Sequence, residues 1–235
     1  MTSLSYAYVL AATLVGVTAF VLGLVSSVPL TRRGIDAEDA VAHVVHSAWV
    51  SLGLVGAAAG IFAVVGGPVV HAVLGSAYAG NVGGDVGRLV VELAPWMVFG
   101  ATFYGLFPLV FVLDLRRVLV PLAVIAVGVD FGVSYGFREA WGLAGLAVAI
   151  AVPTALVVGV LLWEISRRAL FRASLALARL SLVVGIAAVA AFWSAAVVLG
   201  PVGAAVLGCV IYGLLLLAAR PFGLREAWAY VRALH

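Results

Sequence analysis

Lysine is absent from this chain, cysteine occurs once, and only 10% of the residues are charged. Each shortage excludes something. The single cysteine, Cys209, lies in an apolar run, so no disulfide and no cysteine metal cluster can form, and the thiol reads as a small core residue. The basic residues, 13 arginines against 10 acids, leave a formal charge of +3, too small and scattered for a nucleic-acid footprint. Enzyme signatures are also missing: there is no HExxH, no glycine-rich phosphate loop on a strand-helix unit and no Ser/His/Asp arrangement. The acids are too dispersed to make a catalytic pair. We therefore assign no catalytic residue, no cofactor and no metal.

Apolar residues dominate what is present. Of 235 residues 66% are hydrophobic, and the mean hydropathy is +1.26, far outside the range of a soluble domain. The pattern predicts an all-α polytopic membrane protein in a single bundle of about seven spans, each near the ~20 residues that a bilayer requires. They cover residues 6–29, 48–65, 89–113, 118–137, 141–163, 180–199 and 202–219. The first is too long for a signal-peptide core and lacks the basic flank of one. Residues 36–47, with Asp36, Glu38, Asp39, His43 and His46 among Ala and Val, read as an amphipathic interfacial helix, as does the tail 220–235.

Glycine and proline punctuate these spans. Gly56 and Gly60 have the small-xxx-small spacing that lets membrane helices approach closely. Gly66-Gly67-Pro68 should break or kink the second span, and residues 76–87 read as a glycine-rich polar loop. Pro95, Pro108 and Pro121 predict kinks. Residues 164–179 read as an interfacial connection carrying Arg167, Arg168, Arg172 and Arg179, and Gly200-Pro201 alone joins the last two spans.

Arginine sets the expected orientation. Arg32 and Arg33, Arg116 and Arg117, the four between residues 167 and 179, and the tail's Arg220, Arg225 and Arg232 make eleven on one side, against Arg88 and Arg138 on the other. By the positive-inside rule the richer side is cytoplasmic, which places the C-terminus inside and the N-terminus outside the cytoplasmic membrane.

Polar residues within the spans are the candidate site. Glu92 follows Arg88 by four positions, which suits an ion pair near the outer interface and leaves a cavity-facing acid as the alternative. Asp130 has no basic residue within a turn; an acid at that depth either hydrogen-bonds a neighbouring helix or faces a wet cavity. Tyr6, Tyr8 and Tyr104 are further cavity candidates, whereas Trp96, Tyr135, Trp141, Trp163 and Trp193 suit an aromatic belt or a packed interface. His43 and His46, three apart, have no third ligand nearby and read with His71 as interfacial.

Ser5-Tyr6-Ala7-Tyr8-Val9-Leu10 with Pro29 resembles the N-Y-A-x-R-L…P element of lipid II flippases of the MviN/MurJ type and of related polysaccharide flippases. Gly67-Pro68…Gly75, the Arg116-Arg117 turn and Trp141-Gly142-Leu143-Ala144-Gly145-Leu146-Ala147 follow in the family's order. The resemblance implies the C-terminal bundle of a two-lobed exporter of the multidrug/oligosaccharidyl-lipid/polysaccharide superfamily. It further implies membrane lipids and a lipid-linked saccharide as partners, with a first lobe expected upstream in the same gene or on a separate chain. Val9 stands where the family has a cavity arginine that would pair with pyrophosphate. A different lipid-linked oligosaccharide, a cation- or proton-coupled exporter of small amphiphiles and a non-transporting scaffold therefore remain open.

Overall fold

In a bilayer, backbone N–H and C=O groups find no water, so so apolar a chain must pair them within each segment. The structure, a computed structural model describing residues 2–20, 37–75 and 80–219, does so with helices alone among the described residues. The end of the first expected span, Arg32 and Arg33, residues 76–79 and the tail 220–235 lie outside them. Helix α1 is Thr2–Val15, extended by a π-helical turn, Gly16–Phe20. Then come α2, Ala37–Leu74; α3, Asn81–Glu92; α4, Ala94–Val112; α5, Arg116–Ala149; α6, Ala151–Ile165; α7, Arg167–Val198; and α8, Pro201–Ala218. Five stretches are long and apolar enough to cross a membrane: Ala40–Leu74, α4, α5, Leu170–Val198 and α8. Two further apolar stretches, Ser3–Ala19 and α6, are shorter.

Several boundaries differ from expectation for local reasons. Residues 36–47 were expected to lie apart at the interface, yet Ala37–Leu74 is one helix, interrupted only by the non-helical Val65 (φ −126°, ψ 25°) before Gly66-Gly67-Pro68. The buried positions Ala40, Val44, Ala48, Leu52 and Val55 run at helical spacing through the expected boundary, so a single face packs throughout. Residues 81–87, expected as loop, form most of α3, because their glycines serve close packing: Gly66 and Gly87 meet backbone to backbone, and a Cβ on Gly87 would lie 2.8 Å from the Gly66 Cα. Pro95 offers no N–H to the Val91 carbonyl, and the helix is interrupted at Leu93 and restarts with Pro95 in its first turn. Helices α4 and α5 continue through Pro108 and Pro121, where kinks were expected.

Turns are made by specific caps. At the end of α4, Asp114 takes a left-handed conformation (φ 52°), Leu115 N–H bonds the Val110 carbonyl at 2.8 Å and Asp114 N–H the Phe111 carbonyl at 3.4 Å. This is a Schellman cap with Asp in the usual glycine place, and the carboxylate contacts Arg116 Nε at 2.8 Å. Ser166 is extended, and its Oγ accepts from Arg168 N–H at 3.1 Å, so α7 begins there and absorbs the segment expected to connect two spans. Within α5, Gly142 (φ 62°, ψ −136°) turns the chain back. Leu122 accordingly packs with Val158, Leu161 and Leu162, which a straight helix of 34 residues would hold far apart.

Helix α2 is the hub, packing on α1, α3, α4, α7 and α8. One cluster joins α1 to α4 with α7 and α8; a second gathers Ala40 and Val44, Leu109 and Val110, Leu122, Leu161 and Leu162, and Ala173. The second cluster brings the start of α2, the end of α4, the start of α5, the end of α6 and the start of α7 to one end of the bundle. Arg116, Arg117, Arg167 and Arg168 flank those same termini. Gly56 and Gly60, whose spacing suggested a docking face, are covered from within the chain by Tyr212 and Val184 and by Phe192.

The Gly66/Gly87 contact gives a stability test. Gly87→Val should destabilise the bundle by about 1–3 kcal/mol, because the backbone opposite cannot rotate away. Gly84→Ala, where a Cβ meets nothing within 4 Å, should not. Thermal unfolding in detergent separates the two; equal melting points would show that the crossing is not tightly packed.

Candidate functional site

Helix α5 packs weakly along most of its length, yet its less exposed positions are ordered. Buried Leu122 is followed by half-buried Ala126, Val129, Asp130, Val133, Ser134 and Phe137, a single stripe at helical spacing, while Gly128, Phe131, Gly132 and Tyr135 lie exposed opposite. Asp130 is thus turned toward the bundle. Its Oδ1 accepts from Ser134 Oγ at 3.3 Å, and among the described residues no basic side chain pairs with it.

Helix α4 presents an aromatic face beside it. At about 100° per residue, Trp96, Phe103, Tyr104, Phe107 and Phe111 share one face of α4. Phe103 and Phe107 meet at a tilt with centroids 5.8 Å apart, Phe107 and Phe111 edge to face at 5.2 Å, and Tyr104 joins Phe103 at 6.1 Å. Helix α1 meets the same face. Its Tyr8 ring lies 4.9 Å from that of Trp96, and both Tyr104 and Asp130 are within electrostatic reach of the Tyr8 hydroxyl.

Three of the five sequence candidates, Tyr8, Tyr104 and Asp130, thus come from three helices, with Tyr104 and Asp130 both within electrostatic reach of Tyr8. The remaining two stand apart. Tyr6, two positions from Tyr8 and so about 200° around α1, is turned away from it. Glu92 makes the expected pair with Arg88, Nε to Oε1 at 3.3 Å, and its Oε2 is buried with no hydrogen-bond partner among the described residues. Trp96, expected in an aromatic belt or a packed interface, is only 8% exposed and packs against Tyr8 of α1. Ser134 and the phenylalanine ladder were also missed, although their spacing from Asp130 and Tyr104 was visible in the sequence.

The histidines expected at the interface divide. His43 is fully buried and bonds the Gly105 backbone where α2 meets α4, close to Ser47, whereas His71 is exposed near the end of α2. Among the described residues no three potential metal ligands gather. Chemically, these side chains supply a carboxylate, two phenols and a hydroxyl beside a row of aromatic rings, a set able to hold a cation or the hydroxyls and apolar face of a sugar. Compared with known proteins, the chain matches no family model, no curated protein and no solved structure.

A cysteine scan tests whether the surroundings of Asp130 are wet. In a Cys209→Ala background, Ser134→Cys should react several times faster with a small water-soluble thiol reagent than Gly132→Cys, because thiolate forms in water and not in hydrocarbon. Comparable rates would mean that Ser134 and Asp130 see the same surroundings as the outer face of α5.

Proposed function

We propose that this chain is one bundle of a transporter of the cytoplasmic membrane that moves a lipid-linked saccharide, a peptidoglycan precursor or a polysaccharide repeat unit, by alternating access. The observation that carries the reading is the proximity of Tyr104 and Asp130 to Tyr8 beside the aromatic face of α4. An intramembrane acid turned toward the bundle is costly unless it is used, and aromatic rings with polar tips suit a sugar. The resemblance to lipid II and polysaccharide flippases supports the substrate class, and Val9 in place of the family's arginine favours recognition that relies less on pyrophosphate. A second bundle, on the same or a separate chain, would close over these side chains and rock against this one.

Seven crossings follow if α1 and the stretch after Gly142 span together with the longer helices, which puts the arginine-flanked end in the cytoplasm. Cysteine labelling in the Cys209→Ala background tests that orientation. Val82→Cys, at an exposed position of α3, should react with an impermeant outside reagent and Leu115→Cys, between α4 and α5, should not. The reverse pattern would invert the topology.

Asp130 also favours a second reading, a cation- or proton-coupled exporter of small amphiphiles, because the described residues give it a hydroxyl partner and no basic one. Asp130→Asn keeps the shape and removes the charge. In vesicles carrying a fluorescent lipid-linked saccharide, with the companion bundle present, the substitution should slow translocation about tenfold or more, the effect of losing an interaction worth ~1.4 kcal/mol. An unchanged rate with unchanged pH and ion dependence would reduce Asp130 to a packing residue. Export of a small amphiphile with no saccharide movement would favour the second reading.

A further inference from the structure

On the opposite face of α4 lies an apolar cleft. Ala94, Pro95 and Val98 look across it to Ser181, Gly185 and Ala188 of α7, with Gly56, Ala59, Gly60 and Ala63 of α2 behind. Its volume is about 780 Å³, and a second cavity of about 430 Å³, toward α6, shares Pro95, Val98 and Ser181 with it. The larger is of the size that holds a small-molecule ligand, roughly 300–1,000 Å³. Exposed Val189, Trp193 and Leu199 form part of its edge, so it opens sideways, toward the surroundings that the outer face of α7 meets.

We infer that this cleft is a binding site for a hydrocarbon chain of a resident bilayer phospholipid. Water is a poor occupant, because an ordered water needs two to four polar partners and the walls are almost wholly apolar. The one hydroxyl at the junction of the two cavities, Ser181 Oγ, is buried without a hydrogen-bond partner among the described residues. An empty gap would cost its walls their dispersion contacts, and the solvent at its mouth is hydrocarbon. The position of the cleft distinguishes a resident lipid from a transported one. It lies behind α4, away from Tyr8, Tyr104 and Asp130, so a lipid seated here keeps its head group clear of those polar groups. The cleft also ends at Leu199 and Pro201, in the turn between α7 and α8, where a phospholipid head group would reach the membrane surface. The inference does not depend on the transport reading.

The test fills the cleft. Gly185 lines the cleft and a Cβ on it meets nothing within 4 Å, so Gly185→Phe adds bulk at the cleft wall from an open position. Gly128→Phe adds the same bulk on the exposed face of α5, also against open space, as the control. Native mass spectrometry of the full chain released from a mild detergent should find one phospholipid retained by the wild type and by Gly128→Phe. Gly185→Phe should lower that occupancy about tenfold or more, the change expected from ~1.4 kcal/mol of lost binding. Added palmitoyl-oleoyl phosphatidylcholine should raise the melting temperature of the wild type and leave that of Gly185→Phe unmoved, and Ala59→Leu, from the α2 wall, should behave like Gly185→Phe. No retained lipid in the wild type, or equal retention in all variants, would overturn the site. Displacement of the phospholipid by an equal amount of polyprenyl phosphate would assign the cleft to an isoprenoid chain instead.

Discussion

How closely neighbours can approach α2 is the constraint on which this bundle depends. Within a membrane, burial of apolar surface does not drive helices together, because lipid tails are as apolar as leucine; association relies on dispersion at short range and on a few hydrogen bonds. Helix α2 meets the requirement with glycine. Gly66 admits the backbone of α3 at Gly87, Gly56 admits Tyr212 and Val184, and Gly60 together with Gly208 of α8 encloses the Phe192 ring. One hydrogen bond locks the arrangement: the Tyr212 hydroxyl donates to the Gly53 carbonyl at 2.8 Å, joining α8 to α2 across 159 residues. Where glycine lies elsewhere the outcome differs, as at Gly128, Gly132 and Gly136 of α5, which face open space. The same residue type therefore marks both the most tightly and the most loosely packed faces.

That ambiguity explains what the sequence disclosed and what it withheld. Composition alone gave the helical class, and the apolar run expected over 202–219 was read to within a residue of its ends, whereas the span expected over 89–113 begins at Ala94, because the helix is interrupted at Leu93 and Pro95 falls in the first turn of its successor. The glycine-rich stretch 81–87 misled, since a glycine that serves close approach and one that serves a turn look alike until a partner is known. Residues 36–47 misled for a related reason: acids and histidines among alanines suggest an interface, but His43 is buried because Gly105, far away in the chain, offers its carbonyl. In the site, Asp130 was legible because an acid in an apolar run is costly wherever it points, and Tyr8 and Tyr104 were legible as polar aromatics. Trp96 was legible as a belt or packed-interface residue, but its pairing with Tyr8 was not, because that partner is on α1 and no spacing within α4 announces it.

Helix α4 separates two environments, and its face assignments follow from its sequence. With about 100° between successive residues, Trp96, Tyr104, Phe107 and Phe111 fall on one side while Ala94, Pro95 and Val98 fall on the other. The first side has polar tips and a carboxylate opposite; the second has one hydroxyl. A polar solute and a hydrocarbon chain can thus lie against the same helix without competing. Helix α5 completes the polar side, and it is the least buried of the five long helices, with 6% of its apolar window covered against 50% for α4. It is tied to the bundle through Leu122 at one end and the Gly142 reversal at the other, with the half-buried Asp130 stripe between. A segment held mainly at its ends opens at lower cost than one packed along its length. The acid therefore sits on the helix that least resists displacement, whereas the aromatic row sits on a helix packed from both sides.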